Sequence, residues 1–366
     1  MSRSRSGPQL RQLAGVILST PIKRFVQHSV HLACGAVLPK VVTAYLTRGQ
    51  LAADRRNAIL VTHGYTGGPD MIDPDSELAD GSWSELIGPG KAIDTDRYFV
   101  VCPNALGSSY GSTNASTIDP QTGQAYGSKF PDIAMSDIVA GQRALVEHWG
   151  ISRLHAVIGH SFGGAQVFQW GVDHPDMMDL LASVISAPKM GGVDVPSLQK
   201  ELSADPNWHG GDYYGVGDMK PMLAAKRFGT LKAFGADTVL ADRFPDPQQR
   251  EKELHRLARQ WADQFDANSL LILYKTMAGF DVTGQLDRIR APLLFALSRS
   301  DRIIPASKAP QILDALSRAN VKTIYHEIDS DHGHSAAGTD AAKWSSVLRD
   351  FLNTVGQHSR ATQDIT

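Results

Sequence analysis

The chain has 366 residues, well beyond the roughly 100–200 of a typical single domain and enough to bury a large core. Its 36 Lys and Arg against 38 Asp and Glu leave a net charge of −2, without the basic excess of a nucleic-acid binder, and no apolar stretch approaches the ~20 residues of a membrane span. With 42% hydrophobic and 20% charged residues the composition excludes a disordered or fibrous chain; the two cysteines, Cys34 and Cys102, exclude a disulfide framework, and the cytoplasm is the expected location.

In chain order, residues 1–28 read as an N-terminal extension: basic, with a short apolar run at 13–18 that is broken by Pro21 and followed by Lys23 and Arg24. Short β-branched runs at 58–62, 98–102, 154–158, 182–186, 293–297 and 323–328 read as strands, several of them apolar throughout, as strands buried on both faces are. Helical patterns fall between them at 133–149, 164–174, 306–319 and 340–355. This alternation predicts an α/β fold, a mostly parallel sheet covered by helices on both faces, formed by residues 29–189 and 288–366. Residues 190–287 break the rhythm; at roughly 100 residues they are too long for a loop and are expected to form a helical lid over the strands' C-terminal ends.

Two pentapeptides fit G-x-S-x-G, GSSYG around Ser109 and GHSFG around Ser161. Ser161 directly follows the strand LHAVI and precedes a helix, the strand–turn–helix that exposes a nucleophilic hydroxyl; Ser109 lies in a Gly, Ser, Thr and Asn-rich loop. A serine nucleophile needs a base, and the base an orienting carboxylate, in the chain order Ser, Asp, His. Asp301 lies just past the strand LLFAL, and DSDHGH after the next strand offers His334 as the base, with His332 as its rival. Asp329, Asp331, His332 and His334 also have metal-ligand chemistry, but no distant companions at a recognisable spacing, so no metal is expected. Oxyanion donors are expected from the backbone N–H of Phe162 and from the loop HGYTG after the first core strand, at Tyr65 or its neighbour Gly64.

On these residues the chain resembles the homoserine O-acetyltransferases of the α/β-hydrolase superfamily, from about residue 30 to residue 352. The likeness lies in ELIGPGKAIDTDRYFVVCPNALGSSYGSTNASTIDPQTGQAYGSKFPDI and, within the insertion, in LSADPNWHGGDYY and FDANS. It implies Ser161, Asp301 and His334 as the triad, Tyr65 and Phe162 as the oxyanion hole, and a homodimer packed through the lid helices. The departures concern the acyl acceptor. His160 precedes the nucleophile where the transferases usually have glycine. Lys226 aligns with the arginine that grips the acceptor, Ala233 with a tyrosine, and Ser335 with an aspartate that can pair with its ammonium. Losing two charge-assisted contacts, at ~1.5–3 kcal/mol each, would weaken homoserine recognition by orders of magnitude, unless Arg227 beside Lys226 compensates. The leading expectation is a serine esterase that hydrolyses short acyl esters through acyl-Ser161, with Lys226 and Ser335 as substrate-side positions, no cofactor, and a small-molecule ester as the partner rather than nucleic acid or membrane. The alternative is an acetyl-CoA-dependent O-acyltransferase acting on homoserine or another alcohol.

Overall fold

A computed structural model describes residues 21–76 and 82–361, with side chains up to residue 355. The strands are β1 (Lys23–His31), β2 (Val37–Arg48), β3 (Ala58–Thr62), β4 (Phe99–Pro103), β5 (Leu154–His160), β6 (Met178–Val184), β7 (Leu293–Ser298) and β8 (Thr323–Ile328). They form one eight-stranded sheet in the order β1-β2-β4-β3-β5-β6-β7-β8. β2 pairs antiparallel with both β1 and β4, and every pairing from β4 to β8 is parallel. Crossover connections link the successive parallel strands from β3 to β8, which leaves their C-terminal ends on one edge, where loops can converge.

Period-two alternation divides the core strands between two apolar layers. Leu60, Val157 and Phe295 face one layer, with Leu145 of α1 (Met135–His148), Phe168 of α2 (Phe162–Asp173) and Leu316 of α8 (Ala309–Arg318). Ile59, Ile158 and Leu294 face the other, with Trp83, Trp344 and the apolar side of α9 (Ser345–Ala361). Among the described residues no helix is long and apolar enough to cross a membrane.

The sheet corrects the expected extension at its C-terminal end. Lys23–His31 is an edge strand in register with β2, from Lys23 opposite Tyr45 to His31 opposite Val37. It escaped the pattern because an edge strand exposed on both sides keeps polar residues, and because Pro39 and Lys40 interrupt β2. Residues 1–20 lie outside the described residues. β6 also starts four residues before the expected 182–186 and ends at Val184, before Ile185, whose φ is +47°.

Between β6 and β7 run α3 (Val195–Ala204), α4 (Lys220–Ala233), α5 (Ala236–Ala241), α6 (Pro247–Ala262) and α7 (Ala267–Ala278). Aspartates open three of them: Asp194, Asp246 and Asp266 each accept a backbone N–H of the first turn. The insertion has its own small apolar cluster of Leu231, Ala236, Leu254 and Ala258, while α7 packs on the main core through Leu270 and Leu273.

Candidate active site

Ser161 sits in the turn from β5 to α2 with φ +53° and ψ −121°, a left-handed backbone rarely adopted by a non-glycine residue. The neighbouring layers hold it there. Its N–H donates to the Val184 carbonyl (2.9 Å), and the Ser186 hydroxyl donates to the Ser161 carbonyl (2.7 Å). The flanking glycines let the turn sink onto β3: a Cβ at Gly159 would lie 2.0 Å from Thr62 Oγ1, and one at Gly163 2.1 Å from the Thr62 carbonyl oxygen.

His334 Nε2 lies 2.8 Å from Ser161 Oγ, and His334 Nδ1 lies 2.8 Å from Asp301 Oδ2. All three side chains are buried, at 7%, 5% and 2% exposure for Ser161, His334 and Asp301. Burial pushes the Asp301 carboxyl up. The hydrogen bond and charge of His334, with the backbone N–H groups of Ile303 and Ile304, outweigh that and hold it below the usual carboxylate range. An ionised Asp301 accepts from Nδ1–H, leaving Nε2 to accept the Ser161 proton.

The rival His332 lies elsewhere, its Nδ1 2.8 Å from Asp340. Arg299 takes Asp329 and Asp331, at 3.1 and 2.7 Å, and the Ser300 hydroxyl accepts the Gly333 N–H (3.0 Å). The sequence cluster with metal-ligand chemistry is therefore divided between three separate partners that fix the loop carrying His334. Ser109, the other G-x-S-x-G serine, accepts the N–H of Asp266 (2.9 Å) at the start of α7.

Residues 63–67 leave β3 toward the elbow, where a Cβ at Gly64 would lie 3.3 Å from His160 Nε2. The Ala105 N–H donates to His63 Nε2 (3.0 Å), so His63 Nδ1 carries the proton and donates to the Gly64 carbonyl (2.7 Å). Burial lowers the His63 pKa to about 4, against the opposing effect of that backbone bond, and keeps the ring neutral. Phe162 opens α2, so its N–H is one of the first-turn donors without an acceptor inside the helix.

The two expected substrate-side positions are both engaged by protein groups. Lys226 pairs with Glu201 of α3. Ser335 is buried, and both its N–H and its hydroxyl donate to the Phe234 carbonyl at 3.1 Å, while the Phe234 ring packs 4.9 Å from the His334 ring. Ser335 thus ties the His334 loop to the end of α4. A cavity of about 390 Å³ lies between α3, α4, α6, α7 and residues 63–67, lined by Tyr65, Thr66, Lys226, Arg227, Trp261 and Tyr274. Arg227, raised in the sequence only as a substitute for Lys226, is the buried cation of this wall; Trp261 carries no sequence signal beyond an apolar position on an amphipathic helix.

A sheet of this order, with a serine on the β5–α2 turn and its partners after β7 and β8, defines an α/β-hydrolase-fold protein, and residues 57–216 match the profile of that fold. The chain is 36% identical over 344 residues to the homoserine O-acetyltransferase of Haemophilus influenzae, covering 88% of this chain and 95% of the relative. It is 35% identical over 357 residues to the one from Moorella thermoacetica, covering 90% and 95%. The chain belongs to the homoserine O-acetyltransferase family. Among solved structures, homoserine O-acetyltransferase from Bacillus anthracis superimposes with a TM-score of 0.80 at 26% identity, over 91% of this chain and 98% of that one. Esterase E22 superimposes with 0.81 at 25% identity, over 91% and 100%. Both acyl transferases and an esterase stand among these similar proteins.

Proposed function

We propose that this protein is an O-acyltransferase that moves a short acyl group, acetyl in the first instance, from a coenzyme A thioester to the hydroxyl of a small amino alcohol such as homoserine. The observation that carries the reading is the chain from Asp301 through His334 to Ser161, with both links at 2.8 Å. Ser161 Oγ gives its proton to His334 Nε2 and attacks the thioester carbonyl. The N–H groups of Tyr65 and Phe162 receive the developing oxyanion. Collapse breaks the C–S bond, and the leaving thiolate takes the proton from His334. The acceptor hydroxyl then repeats the sequence on acyl-Ser161: its proton passes to His334, its oxygen attacks, and Ser161 leaves and regains the proton. Asp301 stays ionised throughout. Coenzyme A enters and leaves as a substrate.

A second reading, hydrolysis with water as the acceptor, is favoured by a specific observation: Lys226 is engaged with Glu201, and Ser335 with Phe234, so neither presents a free charge or hydroxyl to an amino acid. One assay separates the two. Purified protein given acetyl-CoA should release one equivalent of thiol in a burst, carry an acetyl group on Ser161 by peptide mass spectrometry, and form O-acetylhomoserine faster than free acetate when homoserine is added. Acetate exceeding O-acetylhomoserine at saturating homoserine would reverse the order of the readings. Ser161→Ala should remove burst and turnover together, by several orders of magnitude in kcat.

A further inference from the structure

We infer that Arg227 and Trp261, both carried by the helical insertion, are positioning residues for the oxyanion hole, acting through Thr66. The inference rests on the assignment of the Tyr65 N–H as an oxyanion donor.

That N–H belongs to the peptide joining Gly64 to Tyr65. In a trans peptide the N–H points opposite to the carbonyl, so whatever fixes the Gly64 oxygen aims the Tyr65 donor. The Gly64 oxygen accepts from His63 Nδ1 at 2.7 Å and from the Gly67 N–H at 3.0 Å, two groups of the same loop. Those bonds set the loop's internal shape but leave its placement over the elbow to outside contacts. Two outside contacts reach the loop before Thr66, the Ala105 N–H on His63 Nε2 and the Tyr274 ring 6.3 Å from that of Tyr65, and three more converge on Thr66. The Thr66 carbonyl accepts from Trp261 Nε1 (3.0 Å) and from the Tyr110 hydroxyl (3.1 Å), and the Thr66 hydroxyl accepts from Arg227 Nη1 (3.1 Å). Thr66, Arg227 and Trp261 are all buried. Arg227 also lies over the Trp261 ring at 5.2 Å, and Trp261 stacks on Phe265 at 4.5 Å, so the donors support each other.

The donor peptide is therefore held between two anchored residues, Gly64 and Thr66. One anchor is local. The other is on Thr66, whose carbonyl is held by Trp261 of α6 and by Tyr110 and whose hydroxyl is held by Arg227 of α4, the two helix donors lying 195 and 161 residues away in sequence. An oxyanion donor earns its effect by being in place before charge develops, and a shift of about 1 Å at such a group costs on the order of 100-fold in rate. In this protein the insertion does more than cover the site: it helps to hold the hole.

The test compares acylation of the full-length protein by p-nitrophenyl acetate and by the matching thionoester, in which sulfur replaces the carbonyl oxygen. The burst of p-nitrophenolate reports acyl-Ser161 formation whether the later acceptor is homoserine or water. Sulfur is a poor hydrogen-bond acceptor, so a working hole makes the ester react far faster than the thionoester. Trp261→Phe removes one donor and keeps the ring; Arg227→Met removes the other, and Arg227→Lys restores a donor. We expect Trp261→Phe and Arg227→Met to slow ester acylation by about 10- to 100-fold, with KM within about threefold of wild type, and to shrink the ester/thionoester ratio in parallel. Arg227→Lys should recover part of both, with the pH profile unchanged. If the rates fall but the ratio stays at its wild-type value, or if KM rises with the acylation rate intact, the proposal is overturned, because the residues then serve folding or ground-state binding. If Arg227→Met does not fold, Trp261→Phe decides alone. A wild-type protein that does not discriminate against the thionoester removes the oxyanion-hole assignment itself, a different result from variants that keep a large wild-type ratio.

Discussion

The nucleophile turn and the two loops that face it are held by different kinds of contact. Around Ser161 the constraint is steric and close at hand: β5 and α2 meet β3 and β6 so tightly that Gly159 and Gly163 leave no room for a methyl group. Residues 63–67 and the turn Gly333–Ser335 instead hang on hydrogen bonds and ring contacts, several of them from the insertion through Arg227, Trp261 and Phe234 and others from Ala105, Tyr110 and Ser300. Close packing of backbone against backbone has no soft mode, so a single methyl group is felt in full. A loop held by several side-chain donors loses its position by degrees. The insertion thus reaches both the His334 turn and residues 63–67, on two sides of the same serine.

The sharpest way to break the comparison is Gly163→Ala. The new Cβ would stand 2.1 Å from a backbone oxygen, which cannot swing away as a side chain would. We expect a loss of about 3 kcal/mol or more in thermal or denaturant unfolding, together with loss of acylation. Gly284→Ala is the control: its Cβ would meet nothing within 4 Å, and stability should stay within about 0.5 kcal/mol of wild type. A well-folded, active Gly163→Ala protein would show that the turn has the same slack as the loops.

The same contrast explains which parts were legible in the sequence. Strands 58–62 and 323–328 are where the pattern put them, because buried central strands write themselves as β-branched runs and because β8, though at an edge, keeps that composition. The serine turn was legible because its glycines are sequence neighbours of the serine. Asp301 and His334 were legible because the order of partners is set by strands that could be counted. β1 and β2 were not, since an edge hairpin needs no continuous apolar face. The supports of the loops were least legible. Alignment put the acceptor-side cation on Lys226, but successive helix positions point about 100° apart, and it is Arg227 that turns inward to Thr66. Nothing local marks Trp261 as a partner of a residue 195 positions away.

A second, comparably large effect separates the loop's internal lock from its external brace. His63 has a folded-state pKa of about 4, set first by burial, against about 6.5 in an unfolded chain. Between these values the unfolded state binds more protons, so stability rises with pH across this window; it is fully present above about 6.5 and falls as the pH drops toward about 4. The shift corresponds to about 3 kcal/mol. Urea unfolding from pH 7 to pH 4 should show this slope, and His63→Asn should flatten it by roughly that amount. Burial also lowers the pKa of His155 and His174, so a residual slope of the same sign should remain. A slope unchanged by His63→Asn would mean that the neutral ring is not what locks the Gly64 carbonyl.

The smallest effect belongs to Lys226, and its size is what makes it informative. The ammonium pairs with Glu201 across the gap between α4 and α3, with the two side chains 31% and 46% exposed, so solvent screens the pair and its worth is about 0–1 kcal/mol. Both residues border the cavity beside residues 63–67, so an acceptor bound there would meet a cation whose charge is already balanced. Two outcomes are then distinct. If the pair stays closed, Lys226→Ala should change the melting temperature by only a degree or two and shift the KM for homoserine by less than about threefold, measured at saturating acetyl-CoA. If Lys226 leaves Glu201 to take the acceptor carboxylate, the same variant should raise that KM by about tenfold or more, equivalent to about 1.4 kcal/mol, with the melting temperature still unmoved. We expect the first outcome. Arg227 is held inward on Thr66 and Trp261, which leaves Lys226 on the solvent side of the same helix, where a charge is cheap to keep and cheap to lose.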